Sequence, residues 1–119
     1  MRAIASGVDA IAVSNHGGRQ LDSVTSTIRA LPAIISAVAG RVEVFVDGGI
    51  RRGSDIAKAC ALGAKAVMAG RAGLYGVGAG GLTGAARALA ILQEELDSCL
   101  GLVGCPTAAR LDPSWLRQR

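Results

Sequence analysis

An α/β fold built on a parallel sheet is what this sequence predicts, and three observations carry the prediction. Short apolar runs of strand length recur at residues 10–14, 42–46 and 65–69. Segments with helical periodicity and glycine stops alternate with them. Each run opens directly onto polar or glycine-rich residues, namely Asn15-His16, Asp47-Gly48-Gly49 and Gly70-Arg71. In α/β folds the carboxyl ends of the strands are where ligands and catalytic groups collect.

In chain order, residues 1–7 read as the last turn of a helix with Gly7 as its stop. The run DAIAVS leads into the first strand. Residues 23–30 are expected to form an irregular turn, and Pro32 to take the N1 position of a helix. Ile34, Ile35 and Val38 supply that helix with an apolar stripe, and Gly40 ends it at C′. VEVFV is the second strand. Ser54 is the expected N-cap of the next helix, with Asp55 in its first turn, Ile56, Ala59, Cys60 and Leu62 facing inward, and Gly63 as the stop. KAVMA is the third strand, followed by a Gly70-Arg71 loop. The longest helix is expected to begin near Thr83. It carries Leu89, Leu92, Leu96, Cys99 or Leu100, and Val103 on one side and Arg87, Gln93 and Glu94 on the other, before Gly104 and the Cys105-Pro106 break.

Composition narrows the function classes. A chain of 119 residues is one domain at most, and a fold of this size buries roughly two-thirds of its unfolded surface. The net charge of +4 is modest and several arginines sit beside glycines, which suits a local anion site and argues against nucleic-acid binding. No apolar stretch reaches the length of a membrane span, and no leader-like segment opens the chain. Cys60, Cys99 and Cys105 are an odd number without metal-ligand spacing. Reduced thiols in a cytoplasmic protein, with no metal site, are therefore expected. Three strands leave two edges with unpaired backbone groups, so a homo-oligomer or a separate N-terminal half is the expected partner.

Two constellations carry chemistry. His16 stands three positions from Arg19 in a glycine-softened loop. Histidine suits proton transfer near neutral pH and arginine presents a planar fork to a carboxylate. The pair fits proton abstraction from a small carboxylic acid. In Asp47-Gly48-Gly49-Ile50-Arg51, the glycines let backbone N–H groups approach an anion and Arg51 adds charge beside a helix N-terminus. Gly70-Arg71, one strand later, strengthens the phosphate reading.

Taken together, SNHGGRQLD, VDGGIRRGSDIAKACALGAKAVMAGR, the GLYG segment and the helix ending in LVGCP resemble the C-terminal part of the FMN-dependent α-hydroxy-acid dehydrogenases and oxidases. The resemblance covers essentially the whole chain, and residues 74–76 with the following helix are most similar to the mandelate and lactate dehydrogenase branch. It implies the C-terminal portion of a TIM (β/α)₈ barrel, about strands six to eight with their helices. It also implies FMN as cofactor and oxidation of a small L-2-hydroxy acid of lactate, mandelate or glycolate type to the 2-oxo acid. His16 then matches the base and Arg19 the carboxylate clamp. Asp47, Gly48, Gly49 and Arg51 match the segment along the ribityl-phosphate tail, and Gly70 with Arg71 match the second phosphate loop. Arg52 is assigned no role, and Ala72-Gly73 departs from the proline often found after the arginine. Contacts to the flavin ring, a lysine near it and an acidic partner for the histidine would belong to earlier strands, so the isolated chain is expected to be inactive. The alternatives are a non-catalytic phosphate- or FMN-binding or self-assembling half-barrel, and a fragment of another phosphate-binding barrel such as IMP dehydrogenase, which lacks the NHGGRQLD loop.

Overall fold

The computed structural model describes residues 2–117 of the chain. Three parallel strands, β1 (Ala10–Val13), β2 (Glu43–Val46) and β3 (Ala66–Val67), form one sheet in the order β1-β2-β3. Each lies within its predicted run. Only two residues of β3 are in register, opposite Phe45 and Val46, although Lys65 and Met68 also donate N–H bonds to Val44 and Val46.

Cross-strand neighbours share a face. Ile11 stands beside Val44, and Val13 beside Val46, and this face carries the helices. Val13, Leu31, Val38, Val44, Val46, Ala59 and Ala64 form the main core. On the opposite face Ala12, Phe45 and Ala66 lie side by side, with Phe45 half-buried and the two alanines exposed. A second core joins Ala57 to Leu96, Leu100 and Cys105.

The α-helices among the described residues are α1 (Arg2–Ala5), α2 (Thr27–Val38), α3 (Gly53–Ala61) and α4 (Gly70–Val103). Gly7, at φ 77, stops α1 as expected and returns its N–H to the Ile4 carbonyl. Helix α2 starts five residues before Pro32, which therefore lies inside the helix and not at N1. Three hydrogen bonds account for the early start: the N–H groups of Arg29 and Ala30 both donate to the Ser26 carbonyl, and the buried Thr27 hydroxyl donates to the Asp47 carbonyl. The proline costs the N–H that would have reached the Ile28 carbonyl, at a residue on the exposed side. Gly40 holds the C′ position as predicted, at φ 72.

The N-cap of α3 is Arg52, not Ser54. Asp55 turns its carboxylate back onto the N–H groups of both Arg51 and Arg52, each at 3.0 Å, and this draws the helix start forward. Gly70-Arg71 is likewise not a loop but the first turn of α4. That helix breaks at Gly80 and Gly81, where Gly81 takes φ 57 and ψ −135. The segment 82–103 is the amphipathic helix expected from Thr83 onward. The two halves close tightly: a Cβ on Gly84 would lie 2.0 Å from the Gly76 carbonyl oxygen. Of the predicted stripe, Leu92, Leu96 and Leu100 are buried, whereas Leu89 and Val103 are exposed. The contacts of α3 with this helix gather on its C-terminal half, where Gly53 meets Leu96 and Ala57 packs with Leu96 and Leu100.

Among the described residues no helix is long and apolar enough to cross a membrane, and no cluster of His, Cys, Asp or Glu is placed to hold a metal. All three cysteines are free, and burial pushes the Cys60 thiol up.

Candidate active site

The two predicted constellations and the Gly70-Arg71 pair all sit at the carboxyl end of the sheet, one segment after each strand. After β1, the Ser14 hydroxyl accepts the His16 N–H at 3.1 Å. His16, Gly17 and Gly18 then follow one another at φ 52, 64 and 73. Non-glycine residues seldom adopt such angles, and histidine is among those that do so more readily. The turn is closed by Gly18 N–H to the Asn15 carbonyl and Arg19 N–H to the His16 carbonyl. The side chains of His16 and Arg19 are left exposed, with no hydrogen bond or ion pair among the described residues.

After β2, the Asp47 N–H donates to the Val13 carbonyl at 3.1 Å, which carries the sheet ladder one residue further. The Thr27 hydroxyl donates to the Asp47 carbonyl and lies 3.4 Å from the Gly48 carbonyl. Gly48 has φ 87, and a Cβ there would come within 3.0 Å of Asn15 Oδ1 and 3.1 Å of Thr27 Oγ1. The turn after β2 is thereby packed against the turn after β1. Two side-chain acceptors at this junction, Asn15 Oδ1 and Asp47 Oδ1, are buried without a hydrogen-bond partner among the described residues. Such an atom costs about 1–3 kcal/mol, so the pair marks a place where donors belong.

After β3, Arg71 donates from Nη2 to the Gly17 carbonyl at 3.3 Å. Strands β1 and β3 are not neighbours, so this guanidinium reaches across the end of β2. The structure thus joins the His16 turn to both other segments, through Asn15 and through Arg71. It does not bring Arg19 or Arg51 into contact with the rest of the site; Arg51 is exposed and its side chain makes no bond among the described residues.

Sequence reasoning missed Glu95 and Thr27. Glu95 Oε2 accepts the Gly53 N–H at 2.8 Å, and Oε1 pairs with Arg52 Nη1 at 2.9 Å. Nothing local announces a contact between residues 42 apart. First the Gly53 hydrogen bond and then Arg52 hold the Glu95 carboxyl below the usual glutamate range. A lowered folded pKa contributes stability above the unfolded value, and that contribution is lost as pH falls through the folded one. In acid unfolding, Glu95→Gln is therefore expected to flatten the fall in stability that begins near pH ~4.3. An unchanged acid limb, followed by circular dichroism, would count against the contact.

Comparison with known proteins follows the same lines. The model of the family described as FMN-dependent dehydrogenase matches residues 1–118. An L-lactate oxidase of Nostoc sp. is 50% identical over 115 residues, 97% of this chain and 32% of that protein. A pre-mycofactocin synthase of Mycolicibacterium smegmatis is 58% identical over 99 residues, 83% of this chain and 25% of that protein. A solved soluble mutant of the membrane-associated (S)-mandelate dehydrogenase from Pseudomonas putida superposes with a TM-score of 0.94 at 45% identity, covering 99% of this chain and 33% of that one. The chain thus spans a third or less of the length of these relatives. A match along nearly its whole length, with the same fold at this identity, makes the chain a member of the FMN-dependent dehydrogenase family.

Proposed function

We propose that this chain carries the base, the carboxylate clamp and the phosphate cradle of an FMN-dependent dehydrogenase or oxidase of small L-2-hydroxy acids. Strands β1, β2 and β3 are then strands six, seven and eight of a (β/α)₈ barrel. The helix-free face bearing Ala12, Phe45 and Ala66 supports this, since in a barrel that face turns inward. The observation that carries the proposal is the convergence of the three turns through Asn15 and Arg71.

The residues present fit FMN. The orphaned acceptors Asn15 Oδ1 and Asp47 Oδ1 suit hydroxyl donors such as those of a ribityl chain. Arg51 and Arg71 stand exposed at the same end of the sheet, as a phosphate requires. Gly49, with open space where a Cβ would be, leaves its backbone approachable, and Gly70 does the same at the head of α4. FMN, when bound, supplies the two-electron acceptor. His16 would take the substrate's proton on a ring nitrogen, and Arg19 would hold the substrate carboxylate. Relatives named for lactate, mandelate and pre-mycofactocin share 45–58% identity with this segment. What it encodes is accordingly the part of the site those enzymes have in common.

A chimera tests the reading: this chain replaces the matched third of the Nostoc L-lactate oxidase. The chimera is expected to bind FMN and oxidise lactate. The chain by itself is expected to bind FMN weakly and to turn over neither lactate nor mandelate, because it spans too little of a barrel to enclose a flavin ring. A folded chimera without FMN would refute the cradle, and turnover by the isolated chain would refute its dependence on further strands.

A further inference from the structure

Arg51 and Arg52 are adjacent and both exposed, yet the structure treats them differently. Arg52 is tied by its guanidinium to Glu95 at 2.9 Å, whereas the Arg51 side chain is bonded to nothing among the described residues. The backbone around them is closed as well. Asp55 Oδ2 accepts the N–H groups of Arg51 and Arg52, and Glu95 Oε2 accepts that of Gly53. Three successive donors that a helix start would offer to an anion are filled by the chain's own carboxylates. These three N–H groups are therefore not open to an anion, and the exposed Arg51 side chain is the cation that stands beside them.

We propose that Glu95 is a positioning residue for the FMN phosphate: it withdraws Arg52 and fixes the first turn of α3, so that Arg51 alone of the pair meets the phosphate. The inference rests on the FMN reading above. Its geometry is tightly set, since a Cβ on Gly53 would lie 2.0 Å from the Leu96 nitrogen, so α3 and α4 touch at the residue beside the carboxylate. The segment 47–52 runs from the β2 ladder, anchored by Asp47, to this contact. Releasing one end frees the turn that presents Arg51. Charge alone predicts the opposite outcome, because removing a carboxylate beside two arginines makes the region more positive and should strengthen anion binding. A loss of phosphate recognition on neutralising Glu95 thus reports positioning.

The test is the ratio of FMN to riboflavin affinity of the 119-residue chain, read by flavin fluorescence anisotropy at fixed flavin with protein as titrant. Riboflavin lacks only the phosphate, so the ratio is blind to losses shared by both flavins. Arg51→Ala is expected to lower it about tenfold or more, and Arg52→Ala, which leaves Glu95 on Gly53, by less than about twofold. Glu95→Gln replaces the charge-assisted bond to the Gly53 N–H with a weaker neutral one and gives up the ion pair with Arg52; it is expected to fold, with a ratio about threefold or more below wild type. A lower melting temperature with an unchanged ratio would assign Glu95 a merely structural role and overturn the proposal, as would a ratio that rises. A loss in Arg52→Ala matching that in Arg51→Ala would overturn the sorting of the pair even if Glu95→Gln did not fold. A wild-type chain that binds FMN no better than riboflavin would overturn the FMN reading itself, and this proposal with it.

Discussion

Replacing His16 with alanine is expected to slow flavin reduction in the lactate oxidase chimera by about 10²–10⁴-fold, the usual contribution of a positioned general base, while FMN stays bound. The imidazole is exposed at the carboxyl end of β1 and makes no hydrogen bond among the described residues, so its removal breaks no structural contact. The bond linking this turn to Arg71 uses the Gly17 carbonyl, which the substitution leaves in place. Backbone strain is the competing effect, because His16 sits at φ 52. Ala39 holds φ 51 elsewhere in the chain, so alanine in that conformation is compatible with the fold. His16→Asn, which tolerates the left-handed region better, separates the two effects: it should be as slow as alanine if the lost group is a base. Stopped-flow reduction with lactate reads the rate, and flavin absorbance reads the occupancy. Reduction at the wild-type rate in both variants would remove His16 from the chemistry.

How much was legible in the sequence follows the range of the interactions involved. The strands were found because VEVFV and its counterparts are short and apolar, and the turns because glycine and aspartate punctuate them. The α2 start was misplaced because Pro32 is a strong local signal and the contact that overrides it, Thr27 to the Asp47 carbonyl, joins residues 20 apart. Ser54 has the residue type of an N-cap, yet Asp55 bonds the N–H groups of Arg51 and Arg52 and moves the helix start ahead of it. Arg52 was left without a role for the same reason: its partner lies 43 residues on, on a helix whose polar face gave no sign of one special glutamate. The candidate site shows the same division. His16, Asp47 and Arg71 were readable from residue type and strand-end position, whereas the packing of Asn15 against Gly48 exists only once β1 and β2 pair.

Gly53 shows what that long-range layer is worth, and Gly53→Ala is expected to be among the most damaging single methyls in the chain. The added Cβ would lie 2.0 Å from the Leu96 nitrogen and 2.3 Å from the Glu95 carbonyl carbon. Both are helix backbone, so no side chain can swing away. Reaching even the short edge of ordinary contact, 3.4 Å, requires the helices to part by 1.4 Å, the difference between 3.4 and 2.0. Parting them stretches the 2.8 Å bond from Gly53 to Glu95 and opens the core of Ala57, Leu96 and Leu100. Ordinary overpacking costs about 1–3 kcal/mol; a clash between two backbones should exceed it, at about 4 kcal/mol. For a chain of this length that lowers the melting temperature by roughly 10–20 °C. Gly73→Ala is the matched control: the residue is in α4 with nothing within 4 Å of a Cβ, so the same methyl should be neutral or raise stability by up to about 1 kcal/mol. Thermal unfolding followed by circular dichroism compares the two. Equal melting temperatures would mean that α3 and α4 do not meet at Gly53, and the placement of Glu95 beside Arg52 would fall with that contact.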